Sequence, residues 1–350
     1  MILPQNYAAV MFLMVFSLLC LGSWAAVMKT NAKWRFEVFY LDFAFGLMLA
    51  AVIYAFTFGN LGYDGFNFID DLQHAGKRQW MYVFGAGIIF NMGNMLLMGA
   101  VSVAGLATAF PMGMGVALII GALVSVAGKA GTNLPVTGLA CLLLLLAVGL
   151  SAACYRILSG AQLQALARAG ISKSTRRPNP VKGIVIAVVA GVLLGSFTPL
   201  VEKARVGDLG LGPYAVAAIF AFAVFFSTFV FNIFFMNLPV EGEPVEFTAF
   251  LSLPLKQHLL GWLSGVIWIT GVLGSLICSG LLETIPVGSA IRVPLTQGWP
   301  VLAALWGILV FREFKDGDFR VRLMGTMAPI LLLAGLMLLG LAPTWVVPKG

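Results

Sequence analysis

Apolar residues in this chain gather into long runs separated by short polar stretches. A helix needs about 20 apolar residues to cross a hydrocarbon core of about 30 Å. Runs of that length occur at 7–28, 38–58, 80–102, 104–127, 134–155, 183–201, 214–236, 259–281, 286–311 and 321–342. The pattern therefore predicts ten transmembrane helices. Residues 1–6 hold no Lys or Arg, and the first run is too long for a signal peptide and has no small-residue cleavage site after it. It reads as a retained helix. The stretches 59–79, with Asp64, Asp70 and Asp71, and 237–258, with Glu241, Glu243 and Glu246, are too polar and too punctuated by Gly and Pro to span. They are expected to be surface loops, with Asp70-Asp71 solvated.

Composition agrees with the pattern. The chain has 350 residues, 60% hydrophobic and 10% charged, against about 25% charged in soluble domains. A net charge of +7 would suit nucleic acid, but the basic residues sit in short loops between apolar runs. There they set orientation, and no nucleic-acid partner is expected. Alternate loops carry 14 and 6 Lys and Arg residues. The richer side is expected to be cytoplasmic, with both termini outside, in a multi-pass protein of the cell (inner) membrane. Cys20, Cys141, Cys154 and Cys278 fall in or beside apolar spans without paired spacing and read as small buried hydrophobes. Neither a cofactor nor a metal is indicated.

The chain echoes itself. Gly288, Pro294 and Gly298 repeat the spacing of Gly105, Pro111 and Gly115. Gly87-Ile-Ile-Phe90 with Gly93 matches Gly265-Val-Ile-Trp268 with Gly271, and Gly22-Ser-Trp24 matches Gly195-Ser-Phe197. The copies lie 183, 178 and 173 residues apart, in register, which indicates an internal duplication. Five spans per copy make the halves run in opposite senses, an inverted repeat. Residues 1–156 form the first repeat, 157–182 a basic cytoplasmic linker, and 183–350 the second repeat.

Interrupted spans in matching places are a sequence pointer to a secondary transporter's binding site. Pro111, Gly115, Pro294 and Gly298 are the expected helix breaks. The ninth span also holds Arg292, Thr296 and Gln297, which are costly in lipid and so expected to face protein or water. Arg292 offers either a fork of donors for substrate oxygens or a clamp to Glu202 or Glu283 outside. Asn91 and Asn94 share a face of span 3, where an amide suits a solute with carbonyl and N–H edges or else holds neighbouring helices together. Trp268 and Thr270 lie at a similar depth in span 8, and an indole face could stack on a ring or simply pack. A coupled proton needs a partly desolvated carboxylate, and Glu202 and Asp42 are the two candidates. Arg312-Glu313 reads as a helix-end pair closing span 9.

At Tyr40-Leu-Asp-Phe43, Leu49-Ala-Ala-Val-Ile53, Thr57-Phe-Gly59 and Gly298-Trp-Pro-Val-Leu-Ala-Ala-Leu-Trp-Gly-Ile-Leu-Val-Phe-Arg-Glu-Phe314 the chain resembles the ureide permease family. That family belongs to the drug/metabolite transporter superfamily and is similar to the glucose/ribose porters. The resemblance covers the first three spans and the eighth to tenth. It implies two inverted five-helix repeats around a central cavity bounded by spans 1 to 4 and 6 to 9, with spans 5 and 10 peripheral. It also implies proton-coupled uptake of small heterocycles such as allantoin and uracil, or of sugars in the sister family. Arg292 followed by Val-Pro, and a shorter central loop, depart from the family pattern. The partners expected are a small-molecule substrate, protons and the lipid bilayer, for a monomer or a homodimer. An exporter of the same fold is the first alternative. A membrane-embedded enzyme is the second, but the chain has two histidines and neither a His-Glu-x-x-His nor a Gly-x-Ser-x-Gly signature.

Overall fold

The structure is a computed structural model, and it describes residues 1–31, 34–128, 133–168, 179–240, 242–282 and 284–343. Among these the chain is all helical, with nine helices long and apolar enough to cross a membrane, or ten when one bent pair is taken as a single span. Span 1 is α1 (Tyr7–Ser23) and α2 (Ala26–Lys29), and span 2 is α3 (Phe36–Phe56). A short α4 (Phe68–His74) precedes span 3, α5 (Lys77–Ala104), followed by span 4, α6 (Leu106–Gly128), and span 5, α7 (Leu134–Arg168). Span 6 is α8 (Pro180–Ser196) and α9 (Thr198–Arg205), and span 7 is α10 (Pro213–Asn237). After α11 (Thr248–Leu251) come span 8, α12 (Leu255–Gly280), span 9, α13 (Ser289–Gln297) with α14 (Trp299–Leu305), and span 10, α15 (Phe319–Leu341).

Local chemistry explains several boundaries. Asn6, Asn67, Asn179 and Asp318 precede helices, and each side chain accepts the backbone N–H three residues on. This satisfies donors that a helix N-terminus otherwise leaves open. Both polar stretches lie largely off the spans and carry the short helices α4 and α11, but Lys77 to Gln79 already open α5 and Leu255 to His258 already open α12. Helix α7 runs on to Arg168, so the first part of the linker continues span 5 as helix. Residues 169–178, with most of its charges, lie outside the described residues.

Span 4 corrects an expectation. Helix α6 passes through Pro111 and Gly115 without a break, and both residues are buried. A proline removes one backbone donor but keeps a helical φ, and neighbours in a membrane bundle re-satisfy the freed carbonyl. The interruption falls earlier, at Gly105, a single residue with φ +86° between α5 and α6. Glu313 sits there, accepting the N–H groups of Leu106 and Ala107 at 3.0 and 2.8 Å. Lys29 Nζ approaches the same carboxylate at 3.3 Å. Glu313 therefore caps span 4 and ties it to span 1, in place of the expected pairing with Arg312. In span 9, Pro294 stands inside α13, and the 47° bend falls at Gly298. Beyond α14 the span widens into a π turn over Trp306–Val310.

Span 2 packs on spans 7 and 8, span 3 on 6 and 7, span 4 on 6 and 9, and span 1 on 8 and 9. Spans 5 and 10 pack on each other along the flank formed by 4 and 9. Exchanging every span with the one five later leaves this pattern unchanged: 2–8 becomes 7–3, 3–6 becomes 8–1, and 4–6 becomes 9–1. The packing is compatible with the inverted repeat. Contact between spans 2 and 8 is closest at Gly46 and Gly265, where an added Cβ would collide with the backbone of Trp262 and of Phe43.

Candidate functional site

Spans 1 and 6 are each interrupted at the residues that the third sequence echo pairs. Span 1 breaks at Trp24 and Ala25, and span 6 at Phe197. Pro199 lacks the N–H that a continuous helix would need there, so span 6 restarts with it in the first turn of α9. Each break delivers an aromatic ring to the centre of the bundle. Trp24 lies 4.8 Å from Phe43, and Phe197 lies 5.8 Å from Phe220. Phe90 and Trp268, the pair from the second echo, meet at 4.6 Å with their planes tilted by 32°. Phe43–Trp268 and Phe220–Phe90 contacts, at 6.1 and 5.2 Å, close the cluster. The six rings thus form three pairs, 173, 177 and 178 residues apart, drawn three from each half. All but Phe197 are buried, Trp268 being 4% exposed.

Polar groups border the rings. Tyr40, 5.0 Å from Phe43, accepts a hydrogen bond on its hydroxyl from Asn94 Nδ2 at 3.0 Å. Among the described residues Trp24 Nε1 is buried without a hydrogen-bond partner, as is the Asn232 side-chain oxygen. An unpaired buried donor is a costly feature in a folded chain. Rings that can stack, a free indole donor and an amide-hydroxyl pair together suit a small planar solute with N–H and C=O edges.

The structure brings together some of the residues chosen from sequence and separates others. Asn94 and Trp268 border the ring cluster. Asn91, on the same face of α5, instead donates to Val224 O, Ser227 Oγ and Thr228 Oγ1 at 3.1, 2.7 and 3.1 Å, binding span 3 to span 7. Thr270 shares a hydrogen bond with Tyr54 at 2.8 Å. Arg292 is half-buried with its Nε unpartnered and forms no ion pair among the described residues, which do not include Glu283, one of its two expected clamp partners. Thr296 turns back onto the Arg292 carbonyl, and Gln297 is exposed. Gly115 packs under Val148, and Gly298 sits over the Pro294 carbonyl. Sequence reasoning missed Tyr40, Trp24 and Phe43. The signal was present in the Trp24 and Phe197 echo, which places aromatic residues opposite each other.

The two carboxylates differ sharply. Glu202 is exposed beside Lys203, so it lacks the desolvation that a carried proton requires. Asp42 is 1% exposed in its side chain. His258 Nδ1 lies 2.9 Å from each carboxylate oxygen, and Trp262 Nε1 donates to Oδ1 at 3.0 Å. His258 lies in α12, not in a loop. Arg35, next in sequence to span 2, pairs with buried Glu37 at 2.8 Å instead of with Asp42. On the other end of the bundle Asp71, expected to be solvated, is 4% exposed and accepts the Gly212 N–H at 2.9 Å. Burial pushes its carboxyl above the usual range, against the opposing pull of that hydrogen bond and of His74.

The ureide permease family profile matches residues 39–177. Ureide permease 1 of Arabidopsis thaliana is 23% identical over 86% of this chain and 88% of its own length. Ureide permease 2 of the same plant is 24% identical over 93% of this chain and 94% of its own. Ureide permease 3 reaches 32% over 31% of this chain and 32% of its own. No solved structure matches the chain. The profile and the two near full-length alignments support assignment to the ureide permease family, and they indicate a transporter, not an enzyme.

Proposed function

We propose, with membership among the ureide permeases as the premise, that this chain carries a ureide or a similar planar solute across the membrane by alternating access, driven by a proton gradient. The observation that carries this reading is the six-ring junction between the halves, with Trp24 Nε1 free and Tyr40 and Asn94 at its edge. A ureide presents alternating C=O and N–H groups on a small flat frame, which matches stacking faces flanked by donors and acceptors. Five of the six rings are buried, so a solute reaches them only when the helices move. Breaks in spans 1, 6 and 9 supply places for that movement.

Ligand-dependent thermal stability of the purified protein tests the substrate class. A ligand that binds only the folded state at 100 times its Kd stabilises it by about 2.7 kcal/mol. Allantoin should raise the melting temperature and ribose should leave it unchanged, with uracil between them. A rise with ribose alone would overturn the reading.

A further inference from the structure

Resting on that reading, we infer that Asp42 and His258 together form the proton-binding element of transport, with Trp262 positioning the carboxylate. The geometry assigns the roles. His258 Nδ1 faces both oxygens of Asp42, so in the neutral ring this nitrogen carries the hydrogen and Nε2 is left as the basic one. The carboxylate is 1% exposed and the imidazole 19%. Asp42 is thus screened from water while His258 reaches the surface. A proton that binds Nε2 converts the pair from net −1 to net zero, with the imidazolium held on the carboxylate. Neutralising a charge at the edge of an apolar bundle makes burial of the pair easier.

Among the described residues, no other ionisable group near the pair competes for this role. Helix α10 has no Asp, Glu, Lys, Arg or His, and those of α5, Lys77 and Arg78, stand at its far end. At the near end Arg35 and Glu37 are paired with each other, and Lys29 is paired with Glu313. Lys256, Glu243 and Glu246 are exposed. The pair also has a mechanical path to the rings. Asp42 rests against Gly261, and Gly46 and Gly265 hold the two backbones in direct contact along the seam. Phe43 and Trp268, on those two helices, belong to the cluster. A shift of span 8 on span 2 when the pair changes charge therefore displaces Trp268 against Phe43.

Proteoliposomes containing a trapped pH dye report proton entry on addition of allantoin, and counterflow of labelled allantoin in the same vesicles reports an intact carrier. Wild-type protein should show both. Asp42→Asn and His258→Gln should keep counterflow and lose proton entry. Trp262→Phe keeps a ring against Phe45 and removes only the indole donor. Because that donor holds one carboxylate oxygen, its loss should shift the pH profile of proton-driven uptake while counterflow persists. Proton entry and a pH profile like the wild type's in Asp42→Asn or His258→Gln would overturn the inference and leave the ureide reading standing. No counterflow by the wild type would overturn the ureide reading, and this inference with it.

Discussion

Asn91 and Asn94 lie three residues apart on one helix face and serve different neighbours. Asn91 is spent on three acceptors of span 7, whereas Asn94 makes one bond to Tyr40 beside the rings. Buried hydrogen bonds between membrane helices contribute about 0.6 to 2 kcal/mol. Asn91→Ala should therefore lower thermal stability by that order and leave allantoin exchange intact, while Asn94→Ala should reduce exchange with a smaller loss of stability. Melting curves and counterflow on the same preparations check both. Asp71 gives a pH-dependent case. Its folded-state carboxyl titrates above the unfolded one, so the native state holds the proton more tightly, and stability is lost as pH rises through the folded value. Asp71→Asn, which keeps an acceptor for Gly212, should raise the melting temperature at pH 7, and the gain should vanish as the pH falls below the carboxylate range. At this scale the sequence marks which residues are unusual but not whom they meet. Asp42 stood out as a carboxylate near a span end, yet its partner His258 lies 216 residues away, and only the packing of span 8 on span 2 joins them.

Helix interruptions were legible as motifs and misplaced in detail. The Gly-Pro-Gly spacing pointed to spans 4 and 9. Span 9 bends at Gly298, but Pro111 is absorbed into a continuous helix and the turn falls on Gly105. Proline in a membrane helix disturbs one hydrogen bond, whereas a positive φ redirects the chain. Glycine's tolerance of that conformation is the stronger signal. Gly105→Ala should be severely destabilising, since φ +86° with ψ 166° is backbone that essentially only glycine adopts, at a cost of about 1–3 kcal/mol to other residues, and the new methyl meets the Glu313 carboxylate. Glu313→Gln retains an acceptor for one N–H and loses the attraction of Lys29. It should lower the melting temperature by less than Gly105→Ala. A fall with Glu313→Gln equal to that of the glycine variant would contradict the assignment of backbone strain to Gly105.

At the scale of the whole molecule the ten spans were readable from run length alone, because lipid imposes that length on any helix that crosses it. Three short echoes pointed to a duplication, with which the packing is compatible, and two of them mark the ring junction itself. Which helices touch was not readable, since runs that are apolar on every side carry no stripe to aim them. Lysine and arginine counts predict the orientation. Lys77→Cys should react with an impermeant thiol reagent added to intact cells, and Lys256→Cys should react only after lysis; the reverse result would invert the topology.

The central claim is that a planar solute is carried through the ring junction, and counterflow of labelled allantoin into proteoliposomes tests it most directly. Wild-type vesicles should accumulate label above protein-free vesicles, and Trp268→Ala should fall to the protein-free level. Wild-type exchange no greater than in protein-free vesicles, or a Trp268→Ala protein that exchanges like the wild type, would contradict the account.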